Sequence, residues 1–266
     1  MSNETIPQRS RSDQTKGNGL ADARVVVTGG SAGIGLAVAK HFAALGARVA
    51  VLARTPPVGL EGVEGYRADV TDQEQVNSAM RQIAEKFGGI DVLVNNAGAS
   101  FVGTVEDGSM EDWHRLFDLN VLGYVRTTRA ALPYLRKSAQ PAIVNVSSCS
   151  ATNGITERAL YSATKGGVQS LTLAMAADLI SEGIRVNSVI PATVNTPFMD
   201  KIVAADADPA AKRREFEARQ PTGRMIEADE VAAAVAFLAS PASRSTVGTT
   251  LVIDGGMATT IRLPKK

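Results

Sequence analysis

The chain has 266 residues, 44% of them apolar and 5% aromatic, enough to bury one large core, and its 28 basic and 27 acidic side chains leave a net charge of +1. A balance this even gives no global field to hold nucleic acid or an anionic membrane surface, so the expected partner is a small molecule, with no nucleic acid and no membrane. The single cysteine, Cys149, excludes an internal disulfide and a cysteine-built metal site and favours a reducing compartment. The N-terminal residues lack the apolar stretch of a signal peptide, and no run approaches the roughly 20 apolar residues of a membrane span, so a cytoplasmic location is expected.

Residues 1–20 are rich in Ser, Asn, Gln and Arg without apolar periodicity, which predicts a disordered N-terminal tail; residues 21–266 read as one domain. From Arg24 the pattern changes. RVVVTGG is a β-branched run ending in glycines, and AGIGLAVAKHFAALGA follows with helical spacing, so a strand, a tight turn and a helix are predicted. RVAVLA is the next strand, and the prolines and glycines of TPPVGLEGVEG argue against a helix after it. A helix over EQVNSAMRQIAEKFG, a strand in IDVLVNNAG, and one long helix from about Met110 to Arg136 come next. The strand PAIVNVSS, a helix from about Ala159 to Ile180, the strand IRVNSVIPA, the helix DEVAAAVAFLAS and the strand TTLVIDGG complete the series. Continuous Val/Ile runs alternating with helices predict a doubly wound α/β domain, a Rossmann-like parallel sheet with helices on both faces. Such sheets bind ligands at the carboxyl ends of their strands, where TGGSAGIG, NNAG, NVSS and IPATVNTP all fall.

In TGGSAGIG, glycines at 29, 33 and 35 between strand and helix suit a pyrophosphate, which needs close backbone approach and free N–H groups at a helix N-terminus. The plain alternative is a glycine-rich turn without a ligand. Tyr161 and Lys165 share one helical face, and an ammonium beside a phenol stabilises the phenolate and suits the pair to proton transfer. Ser148, 13 residues before Tyr161 at the end of a strand, could donate to a substrate carbonyl oxygen, with Ser147 as its neighbour. His41 and His114 stand in no spacing suited to metal ligands, and no metal is expected.

T-G-x-x-x-G-x-G, NNAG and the Ser148, Tyr161, Lys165 spacing together resemble the short-chain dehydrogenase/reductase family, over residues 24 to 256. The resemblance implies an NAD(P)(H)-dependent oxidoreductase that moves a hydride between nicotinamide and a ketone or secondary alcohol. Tyr161, Lys165, Ser148 and Asn120 are its implied catalytic set: Lys165 also bonds the nicotinamide ribose, and Asn120 holds a water in the proton relay. It implies cofactor contacts from Gly29, Ser31, Gly33, Ile34 and Gly35 in the glycine turn, Asp69 and Val70 near the adenine, and Asn96, Ala97 and Gly98. It extends these to Pro191, Val194 and Thr196 at the carboxamide, although Ala192 replaces the usual glycine there. At the end of the second strand Ala53 stands where NAD-selective enzymes carry an acid, and Arg54 follows, so NADP(H) is favoured and NAD(H) possible. Residues 195–223 are expected to form a helical lid, and Phe101, Ile155, Phe198 and Met199 are candidates to line an apolar pocket or simply to pack. The resemblance further suggests a homo-oligomer, a tetramer or dimer. Two rival readings stay open: an epimerase or dehydratase with bound cofactor, and a non-catalytic cofactor-binding regulatory protein.

Overall fold

A computed structural model describes residues 19–260. Most of the tail expected over residues 1–20 lies outside the described residues, but its last residue does not belong to it. Leu20 is buried, because its apolar side chain joins the core beneath the first helix.

In chain order, the first half comprises β1 (Arg24–Thr28), α1 (Gly33–Ala44), β2 (Arg48–Ala53), β3 (Val63–Arg67), α2 (Gln73–Phe87), β4 (Val92–Asn95), α3 (Met110–Phe117) and α4 (Gly123–Leu135). The second half comprises β5 (Ala142–Val146), α5 (Ala159–Leu179), β6 (Arg185–Pro191), β7 (Val194–Asn195), α6 (Pro197–Ala204), α7 (Pro209–Ala218), β8 (Ile226–Glu227), α8 (Ala228–Ala239) and β9 (Thr250–Ile253). The main sheet is wholly parallel, in the order β3-β2-β1-β4-β5-β6-β9, and β7 pairs with β8 in a separate two-stranded ribbon. Sequential strands run outward from β1 in both directions, so the order reverses between β1 and β4, and a crevice opens there at the carboxyl ends.

Both sheet faces are covered, which explains strands that are apolar on both sides rather than alternating. On one face α1 and α8 pack together over Val25, Val27, Val49, Val51, Val92 and Val144. On the other, α2, α4 and α5 cover Val26, Ala50, Leu52, Leu93 and Ile143. Helix α2 shows how the local code is read. Asp72 caps it by accepting the N–H groups of Glu74 and Gln75, Val76, Ala79, Met80, Ile83, Ala84 and Phe87 bury one stripe, and Gly88, at φ 79°, ends it in the left-handed region.

One strand adds to the expected series, and one expectation is corrected. β3 forms over VEGYR without a continuous apolar run: it is an edge strand, partly exposed, held by its register with β2. The long helix expected from Met110 to Arg136 is interrupted by a π-helical turn over Asp118–Leu122, in which the Gly123 N–H donates to Asp118 O, five residues back. The extra residue rotates the helix and turns Asn120 inward, fully buried. The segment after β2 is indeed free of helix as far as β3. No helix among the described residues is long and apolar enough to cross a membrane.

Candidate active site

The glycine turn lies across the switch point. Thr28 Oγ1 accepts the N–H groups of Asn96 (3.0 Å) and Ala97 (3.1 Å), and Asn96 Nδ2 donates to the carbonyls of Thr28 (2.9 Å) and Gly29 (3.1 Å). The ends of β1 and β4 are thereby stitched together. Two of the glycines also have a packing reason: a Cβ on Gly29 would meet Ala97 Cα at 2.7 Å, and one on Gly35 would collide with Asn96 Nδ2. Their missing side chains let the turn close on NNAG. Gly33 differs, because at φ 54° its Cβ direction is open apart from Thr196, 3.4 Å away. It leaves the space in which a phosphate would meet the start of α1. Ser31 donates to the Thr55 carbonyl at 2.5 Å and ties the turn to the loop after β2, while Ile34 packs inward on the core.

The other implied cofactor residues surround this crevice with unequal freedom. Asp69 accepts both the N–H and the hydroxyl of Thr71 (3.0 and 2.8 Å), shaping the turn before α2, and Val70 is buried against Gly123. Pro191 ends β6, and Val194 sends its side chain into the core, so only its backbone is left to meet a ligand. Thr196 caps α6 by accepting the Met199 N–H. Arg54 is exposed and has no hydrogen-bond or ion-pair partner among the described residues.

Helix α5 carries Tyr161 and Lys165. Lys165 is buried, and its Nζ donates to the Val146 carbonyl (2.9 Å), which also accepts from Tyr124 Oη at 2.9 Å. The ammonium lies 5.6 Å from the centre of the Tyr124 ring and 5.9 Å from that of Tyr161. Burial pulls its pKa down from 10.5 to about 8. Two of its three N–H donors have no protein acceptor among the described residues, so the residues present fit a bound hydroxyl-rich group such as a nicotinamide ribose. The Tyr161 phenol is half-buried and burial pushes its pKa up, while a hydrogen bond from Ser148 opposes that shift.

Ser150, which belongs to no motif in the sequence, orients Ser148. Ser148 Oγ accepts from both the N–H and the hydroxyl of Ser150 (3.2 and 3.1 Å), so its own proton is left to donate. Ser147, its neighbour, is instead buried and donates to the Lys165 carbonyl (3.0 Å), fastening α5 to the sheet. Asn120 Oδ1 accepts the Ala99 N–H (2.9 Å), and its Nδ2 donates to Ala99 O (2.9 Å) and to Thr164 Oγ1 (3.0 Å). Its side chain is therefore committed to joining the NNAG segment to α5. Thr28 belongs to the glycine-turn motif but its partners do not show there, and Thr164 and the Val146 carbonyl leave no signal in the sequence, because each acts on a partner that only the folded sheet brings close.

Of the four candidate pocket residues, Ile155 lines a cavity beside α5 and Phe198 is exposed. Phe101 packs over Gly103 and Gly108, and Met199 packs against the small cluster of Val203, Phe216 and Met225. Among the described residues no three His, Cys, Asp or Glu side chains stand close enough to share a metal ion.

A family model described as enoyl-(acyl carrier protein) reductase matches residues 29–258. L-fucose dehydrogenase of Bos taurus is 38% identical over 247 residues, covering 90% of this chain and 91% of that protein. Meso-2,3-butanediol dehydrogenase of Serratia marcescens is 38% identical over 250 residues, covering 91% and 96%. The solved structure of Thermoplasma acidophilum aldohexose dehydrogenase superposes with a TM-score of 0.88 at 36% identity, covering 93% of this chain and 98% of that one. With the doubly wound sheet and the site at its switch point, these likenesses establish that the chain belongs to the short-chain dehydrogenase/reductase family and is a nicotinamide-dependent oxidoreductase of alcohols and ketones.

Proposed function

We propose that Tyr161 is the proton-transfer residue of this oxidoreductase, that Ser148 polarises the substrate oxygen, and that NADP(H) is the favoured cofactor. The observation that carries the reading is the convergence of Ser148, Tyr161 and buried Lys165 at the carboxyl ends of β4 and β5. The nicotinamide, when bound, supplies or receives the hydride. For reduction, Ser148 donates to the carbonyl oxygen, where negative charge develops, and Tyr161 delivers the proton. Lys165, its Nζ 5.9 Å from the centre of the Tyr161 ring, holds positive charge on the side of the phenol and favours its ionised form. Asn120 keeps the NNAG segment against α5. Oxidation runs the same steps in reverse.

The preference for NADP(H) is supported by Ala53, which places no carboxylate at the end of β2, and by Arg54 beside it, which pairs with no group among the described residues. Helices α6 and α7 occupy the segment assigned as a lid, starting at Thr196 against Gly33. Exposed Phe237 on α8 and Val252 on β9 support association into a homo-oligomer, and the lone cysteine supports a reducing, cytoplasmic setting.

The test is turnover of a panel of ketones and secondary alcohols with each cofactor, followed at the reduced-nicotinamide absorbance band, for wild type and Tyr161→Phe. Loss of at least about 10²-fold in kcat with cofactor affinity kept supports the assignment. Near-normal kcat in the Phe variant removes it, and turnover without net absorbance change would favour epimerisation or dehydration.

A further inference from the structure

We propose that the substrate carries an anionic group, a carboxylate a few bonds from its carbonyl or carbinol carbon, and that Arg158 and Arg219 recognise it; this rests on the assignment of Tyr161 above. A cavity of about 290 Å³ is lined by residues 154–158, Arg219 and Met257. It takes its walls from the segment joining the Ser148 turn to α5, from the end of α7, and from the turn after β9. Arg158 immediately precedes α5 and stands about one helical turn before Tyr161. The cavity wall over residues 154–158 therefore runs directly into the helix that carries Tyr161.

Its wall is held in an uncommon conformation. Glu157 has φ 55°, in the left-handed region, although it is not glycine. The Gly103 N–H donates to Glu157 O (2.9 Å) and the Ala159 N–H to Gly103 O (3.2 Å), which together pin the residue on either side of Arg158. Backbone held this way by its surroundings is a feature of ligand-binding segments.

Both guanidinium groups keep donors to spare. Arg158 donates from one terminal nitrogen to Glu157 O at 2.7 Å and pairs with no carboxylate among the described residues. Arg219 donates from one terminal nitrogen to Glu215 at 2.5 Å and lies over the Phe216 ring, 4.5 Å from its centre. Glu215 is shared with Lys212, and the lining's own acid, Glu157, is exposed. Two planar forks beside one small cavity match the two oxygens of a carboxylate, and a neutral polyol would leave Arg158 without a counter-charge and Arg219 with only the carboxylate it shares with Lys212.

The experiment compares short hydroxy and oxo acids, with the oxygen β, γ or δ to the carboxylate, against the corresponding amides. Wild type, Arg158→Gln, Arg219→Gln, the double variant and Arg158→Lys are assayed for kcat and KM. Binding of each acid and amide to the cofactor-loaded Tyr161→Phe protein is measured by calorimetry, so recognition is read apart from turnover. The expected result is an acid preference of at least about tenfold in kcat/KM, eroded in each Gln variant through KM, abolished in the double variant and partly restored by Lys. Acid and amide reacting or binding alike, or a preference untouched in the double variant, overturns the proposal. Acids that bind preferentially through these arginines without being turned over by wild type would leave an anion site but overturn the claim that the anion is carried by the substrate.

Discussion

Gly98 and Asn120 lie so close that a Cβ on Gly98 would stand 2.9 Å from Asn120 Oδ1 and 3.8 Å from Lys165 Nζ. Asn120 cannot retreat without breaking bonds, because its amide is bonded to both backbone groups of Ala99 and to Thr164. Gly98→Ala is therefore expected to displace Asn120 and lower kcat by about tenfold to a hundredfold, since small misplacements near reacting groups are amplified in rate. Steady-state kinetics beside circular dichroism checks this. A natively folded variant with wild-type kcat would contradict it.

Arg54→Ala should raise KM for NADPH more than for NADH, because only the 2′-phosphate offers the charge that the guanidinium pairs with. Added salt should narrow the wild-type preference, as the exposed side chain is screened. A wild type that favours NADH in kcat/KM, or a variant that loses both cofactors equally, counts against the assignment.

Lys165→Met isolates the burial of one charge. The folded-state pKa of about 8 lies below the ordinary 10.5, so the folded protein holds its proton less tightly than the unfolded chain. The resulting penalty is fully present below about pH 8 and is relieved as pH rises toward 10.5. The stability of the variant relative to wild type should thus be most favourable near neutral pH and decline in alkali, by up to about 3 kcal/mol. Urea denaturation of both proteins across this range is the measurement. Parallel pH profiles would show that Lys165 is not held at a lowered pKa.

Arg185 begins β6 at the amino end of the sheet, away from the site, and it is buried. Its guanidinium donates to the carbonyls of Leu238 (2.7 Å), Ala239 (2.9 Å) and Ser240 (3.1 Å), at the negative end of α8. Ser243 Oγ also reaches the Leu238 and Ser240 carbonyls, so removing the guanidinium strips donors chiefly from Ala239 O. Arg185→Met should cost about 2 to 4 kcal/mol through that loss, with cofactor affinity unchanged. Denaturation and cofactor titration of one preparation separate the two effects; a stable variant with weakened cofactor binding would be the contrary outcome.

The alternation of Val-rich runs with helices, the glycine turn and the Tyr161 to Lys165 spacing are local patterns, and the sequence alone determined from them the layered fold and the helix that holds Tyr161 and Lys165 on one face. Tertiary structure decided what depends on contacts between distant segments. It made Ser150 the residue that orients Ser148, put the Val146 carbonyl under Lys165 and Tyr124, and gave Gly29 and Gly35 a packing role against Asn96 and Ala97. It also inserted the π-helical turn that buries Asn120, and it brought Arg158 and Arg219 to one cavity. Periodicity reports which face of an element is apolar; it carries no record of which atoms from other elements arrive opposite a given side chain, and those arrivals set hydrogen-bond partners, desolvation and charge.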